Sequence, residues 1–77
     1  MTIKINQGGI PYTLTMTVKK IPEPVSSREK WELTFNEPVD SLPEAVIKSA
    51  ARYVSYLWDP EISRTSSNKI TYSGYID

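Results

Sequence analysis

The sequence predicts an α+β fold, a two-layer sandwich in which one helix packs on one face of a four-stranded antiparallel sheet in the order β-β-β-α-β. Three observations predict it. Residues 12–19 alternate strictly between apolar and polar side chains, residues 42–58 collect apolar side chains on one face at helical spacing, and two further short alternating segments lie at 30–36 and 69–76.

At the N-terminus Ile3 and Ile5 alternate with Thr2, Lys4 and Asn6, the pattern of a strand with one covered face. Asn6-Gln7-Gly8-Gly9 then supplies turn chemistry, because glycine takes positive φ without steric cost. Next, Tyr12, Leu14, Met16 and Val18 share one face while Thr13, Thr15, Thr17 and Lys19 share the other, a half-buried strand. The two strands read as a hairpin. Ile21 to Glu29 holds Pro22 and Pro24, whose missing backbone donors make it a connecting loop.

Alternation returns from Lys30 to Asn36, with Trp31, Leu33 and Phe35 inward and Glu32 and Thr34 outward. Pro38 ends that strand, and Ser41-Leu42-Pro43-Glu44 reads as a capping box, the Ser41 hydroxyl accepting from the Glu44 amide. On a wheel at about 100° per residue, Val46, Ala50, Val54 and Leu57 centre an apolar face. Ile47 and Trp58 flank it on one margin, Leu42 and Tyr53 on the other, with Glu44, Lys48, Arg52 and Ser55 opposite. The spacing predicts a helix of about 16 residues, 43–58, stopped at Asp59-Pro60 because a residue before proline is pushed out of the α region. Ser63 to Lys69 reads as a polar loop, and Lys69 to Ile76 as the last strand. Ile70, Tyr72 and Ile76 face inward there, Tyr75 faces outward, and Gly74 marks a bulge. The predicted core sets Val46, Ala50, Val54 and Leu57 against Leu14, Met16, Leu33 and Phe35.

Composition narrows the chemistry. The 77 residues suit one domain, 1–77, and contain neither Cys nor His. The usual metal ligands, thiol nucleophiles and general bases are therefore missing, and the expectation is a non-enzymatic chain with no cofactor and no metal. Nine Lys and Arg balance nine Asp and Glu, which gives no overall electrostatic footprint for duplex DNA or an anionic membrane. No apolar run approaches the ~20 residues of a membrane span, and no signal peptide or disulfide framework points to secretion, so the expected location is cytoplasmic.

Four groups of residues are candidate sites. Glu37, Asp40 and Glu44 form a carboxylate cluster, but its spacing matches no cation loop and acidic residues favour a helix start. Ser63-Arg64-Thr65-Ser66-Ser67-Asn68-Lys69 offers hydroxyls and cations to an anion, without the glycine a phosphate cradle needs. A base-stacking platform on the sheet is mostly removed by phase: Tyr12, Trp31, Phe35 and Tyr72 point under the helix, leaving Tyr75 outside. The back of the helix carries Tyr56 and Arg52 beside the small residues Ala45 and Ser49, residue types favoured in protein interfaces.

By elimination the functional expectation is a small protein-binding module. It would act as an adaptor, or as an inhibitor of the kind phages and other mobile elements encode, by covering another protein's surface. The candidate contact residues are Ser49, Arg52, Tyr56, Arg64 and Tyr75. A homodimer through an exposed edge strand is a second arrangement. The runner-up reading is a single-stranded nucleic-acid module that uses the outer sheet face, with Tyr75 and Lys19, and the Arg64–Lys69 segment.

Overall fold

A computed structural model of the chain describes residues 1–76. One helix, α1 (Glu44–Val54), accompanies five strands: β1 (Thr2–Gln7), β2 (Ile10–Ile21), β3 (Arg28–Phe35), β4 (Trp58–Ser66) and β5 (Lys69–Tyr75). All neighbouring strands are antiparallel, in the order β1-β2-β3-β5-β4. The fold class is the predicted α+β, one helix with an antiparallel sheet; the sheet has five strands rather than four, and the chain order is β-β-β-α-β-β rather than β-β-β-α-β. The connection through α1 carries the chain from β3 to the far edge, and the β4–β5 hairpin then fills the slot beside β3.

The alternating segments fold as their phase requires. Gln7 pairs with Ile10 across a two-residue turn in which Gly8 and Gly9 adopt φ of 60° and 83°. Two positive φ values in succession twist the hairpin in the sheet's own sense and exclude most side chains. Ile3, Leu14, Met16, Leu33, Phe35, Ile70 and Tyr72 are buried on the inner face, against Val46, Ile47, Ala50 and Ala51 of α1. Val54 and Trp31 pack at the margin of this core, as do Tyr12 and Val18. The outer face is polar and open.

Three sequence expectations fail at the helix. Ser41 does not cap it: the Ser41 hydroxyl donates to the Pro38 carbonyl at 2.6 Å, inside a 3-10 turn over Val39–Ser41 that buries Val39 and Leu42. Pro43 is the N-cap instead, and its carbonyl accepts from the Val46 and Ile47 amides. At the other end α1 stops at Val54, four residues before the predicted end at Trp58. Ser55 turns extended, with φ −160° and ψ 134°, and Leu57 reaches the core from a short connector rather than from the helix. Leu57 lies at helical spacing from Val54, so the periodicity could not separate the two routes; the run Tyr53-Val54-Ser55-Tyr56-Leu57-Trp58 is rich in strand-favouring types.

The predicted loop at 63–69 is the second half of β4 plus a two-residue turn at Ser67-Asn68. Its outer arm is an edge strand, exposed along most of its length, so it lacks the apolar alternation that announces a strand. The turn is tied down by the Phe35 amide, which donates to the Asn68 carbonyl at 2.8 Å, and by the Asn68 side-chain amide, which donates to the Phe35 carbonyl at 3.2 Å. Ile76, predicted inward, is exposed beyond the end of β5.

Candidate functional site

The bulge near Gly74 lies on the neighbouring strand. Trp58 pairs with Tyr75 and Glu61 with Ser73, so Asp59 and Pro60 together oppose Gly74. Asp59 takes φ of 51°, a left-handed conformation that aspartate tolerates better than most residues. A Cβ on residue 74 would lie 2.8 Å from the Trp58 carbonyl oxygen and 2.9 Å from Leu57 Cβ. Glycine at 74 is what lets the bulged strand approach.

The bulge and the connector bring distant residues to one pole of the molecule. The Arg52 guanidinium lies 5.0 Å from the Tyr56 ring centroid. Tyr56 meets Trp58 edge to face at 5.7 Å. Trp58 pairs with Tyr75 across β4 and β5, and the Arg28 guanidinium lies 4.5 Å from the Tyr75 ring. Tyr56 and Trp58 are each 57% exposed, Tyr75 is 42% exposed, and Tyr53 stands out from the last helical turn at 65%. Two arginines thus bracket three exposed aromatic residues, Tyr56 and Trp58 in ring contact and Tyr75 beside Trp58 by strand pairing.

A carboxylate beneath this row holds the connector. Glu29, on the inner face of β3, accepts from the Ser55 hydroxyl at 2.7 Å, from the Trp31 indole N–H at 3.1 Å and from the Lys20 ammonium at 3.5 Å. The Ser55 bond, then the Trp31 bond, then Lys20 outweigh desolvation and hold the carboxyl below its ordinary value of 4.5. Nearby, the Tyr72 hydroxyl donates to the Ser55 carbonyl at 2.9 Å and accepts from the Leu57 amide at 3.3 Å.

From Arg52 the surface continues into an open groove of about 440 Å³ between α1 and β4, walled by Lys48, Ser49 and Arg52 and floored by Pro60, Ile62 and Tyr72. Of the five predicted contact residues, Ser49, Arg52, Tyr56 and Tyr75 therefore lie on one connected surface. Arg64 does not join them at the pole: it stands toward the far end of β4, paired with Asp40. That pairing and the Lys48–Glu44 ion pair at 3.2 Å occupy two of the three clustered carboxylates.

Sequence reasoning missed Trp58 and Arg28. Helical spacing puts Trp58 on the margin of a helix it does not belong to, and the proline-rich segment puts Arg28 in a loop. A strand-favouring run ahead of Asp59-Pro60 was the available signal for Trp58; Arg28 carried none. The two sheet edges are β1 and β4. Pro60 and two register shifts blunt β4, whereas β1 pairs with β2 without interruption. Among the described residues no helix is long and apolar enough to cross a membrane. Compared with known proteins, the chain matches no protein family, no curated relative and no solved structure.

Proposed function

We propose that this chain is a non-enzymatic protein-binding module that acts, as an adaptor or an inhibitor, by covering part of another protein with its aromatic pole. The observation that carries the reading is the row Arg52–Tyr56–Trp58–Tyr75–Arg28, its three rings exposed and its members linked by ring contacts and strand pairing, with Arg28 half-buried at its end. Trp, Tyr and Arg dominate the few residues that supply most binding energy in protein interfaces. Rigid rings lose little conformational entropy when covered, and each arginine can exchange its ring contact for a partner carboxylate.

Area supports the same reading. A standard interface covers about 800 Å² per partner, roughly a sixth of the 4896 Å² surface. Three half-exposed aromatics, Tyr56, Trp58 and Tyr75, at roughly 150–250 Å² per whole side chain, supply about 300 Å². The arginines, Ile76 and the adjoining groove at Ser49 supply the remainder, so the pole forms the centre of the footprint and the groove its rim.

The test is affinity capture from an extract of the organism that encodes the chain, comparing wild type with Trp58→Ala/Tyr56→Ala and with Gln7→Lys on the opposite sheet edge. A partner retained by wild type and Gln7→Lys and lost with the aromatic double variant is the expected result. A partner that survives removal of both rings overturns the assignment.

A further inference from the structure

The neutral total charge conceals a segregated one. The register puts Lys4, Lys19, Arg28, Lys30 and Lys69 on the outer, helix-free face of the sheet. Only two carboxylates share that face among the described residues, Glu32 and Glu61. Glu32 lies 4.0 Å from Lys69, so these two charges offset each other, and Glu61 sits on the β4 edge.

The remaining four cations form a track. Arg28 and Lys30 are two residues apart on β3; Lys19 on β2 pairs with Glu32, one step further along the same face; Lys4 on β1 pairs with Thr13, three steps beyond Lys19. The track runs diagonally from β3 to the β1 edge, with Thr15 and Thr17 filling the gap between Lys19 and Lys4. At its β5 end stand Tyr75 and Trp58, which the pairing puts side by side. None of the four cations takes part in an ion pair among the described residues.

We propose that this outer sheet face binds single-stranded nucleic acid, its phosphates following Lys4, Lys19, Lys30 and Arg28 and a base stacking on the Tyr75–Trp58 end. Charge complementarity selects a polyanion: Arg28, Lys30 and Lys19 in close succession, with Lys4 further along at the β1 edge, suit a chain of phosphates. The aromatic end selects an unpaired strand, because a duplex hides the base faces that stack on a ring. A sheet face offers neither the helix nor the narrow ribbon that enters a duplex groove. The inference differs from the protein-binding reading in its cations, since Lys4, Lys19 and Lys30 lie outside the aromatic pole, whereas Arg28, Tyr75 and Trp58 belong to both surfaces.

The test is a fluorescence-anisotropy titration of the full chain with a labelled oligothymidylate of about 15 nucleotides, the length range of single-strand sites. Each phosphate neutralised on a single strand contributes about −0.7 to the slope of log affinity against log salt, so four contacts give about −2.8 and roughly a 50-fold loss between about 50 and 200 mM salt. Lys19→Glu/Lys30→Glu, with its fold checked by circular dichroism, is expected to bind at least about tenfold more weakly and with a shallower slope. Tyr75→Thr is expected to lower affinity while leaving the slope unchanged. Equal affinity for a duplex of the same length, or equal retention by vesicles rich in phosphatidylserine, overturns the single-strand assignment. Absence of binding at about 50 mM salt overturns it as well.

Discussion

The Tyr72 hydroxyl, donating to the Ser55 carbonyl at 2.9 Å, joins the middle of β5 to the residue where α1 ends. Because the same hydroxyl accepts from the Leu57 amide, one phenol satisfies two main-chain groups of the connector. Tyr72 is itself buried, so no water takes over if the hydroxyl is removed. Tyr72→Phe should therefore lower stability by about 1–3 kcal/mol, the cost of leaving buried polar groups unpaired. Urea denaturation checks this: the midpoint should fall while the slope is retained.

Gly74→Ala tests the close approach of the bulged strand. Both nearest neighbours of the added Cβ are a main-chain oxygen and a Cβ, neither of which swings aside as a long side chain would. Overpacking of this kind costs about 1–3 kcal/mol. Amide chemical shifts should move most at 57–59, where β4 must retreat, and least in the β1–β2 hairpin. Unchanged stability would mean that β4 does not lie against residue 74.

The Glu29 carboxyl is held below its ordinary value of 4.5, chiefly by the Ser55 hydroxyl, and this depression sets the direction of a pH dependence. A carboxylate with a lowered folded pKa adds stability that is complete above its unfolded value and is lost as pH falls through the folded one. Wild type should exceed Glu29→Gln in stability at neutral pH, and the difference should shrink as the medium is acidified below 4.5. Denaturation midpoints measured for both chains across that range check it. A difference that stays constant with pH would remove Glu29 from the account.

The strands legible in the sequence are those with one buried and one wet face. Leu14 and Met16 alternate with threonines, and Leu33 and Phe35 with Glu32 and Thr34, because a side chain's burial there depends on its parity. β4 was illegible for the opposite reason. As an edge strand beyond the reach of the helix it buries almost nothing, Ile62 being its one partly covered residue, so no periodic signal is written into it. Helix spacing then absorbed Leu57 and Trp58, since a residue three positions after Val54 lies on the helical apolar stripe even when it arrives by an extended connector. Arg52, Tyr56 and Tyr75 were readable as exposed residue types, but their convergence was not. It depends on Tyr72, Glu29 and Gly74 closing the connector and bulge, and tertiary contacts between residues this far apart leave no trace in local spacing.

The central claim is that Trp58 and its neighbours form the contact surface, and the two tryptophan indoles measure it most directly. The Trp31 indole N–H is internally bonded to Glu29 on the covered side of the sheet, whereas Trp58 is 57% exposed at the pole. In a nitrogen–proton correlation spectrum of the labelled chain titrated with its captured partner, the Trp58 indole resonance should shift or broaden first. The amides of Arg52, Tyr56 and Tyr75 should follow, while Trp31 remains in place. A partner that binds and perturbs the β1–β2 hairpin or the Asp40–Arg64 end, with the Trp58 indole unmoved, would contradict the account.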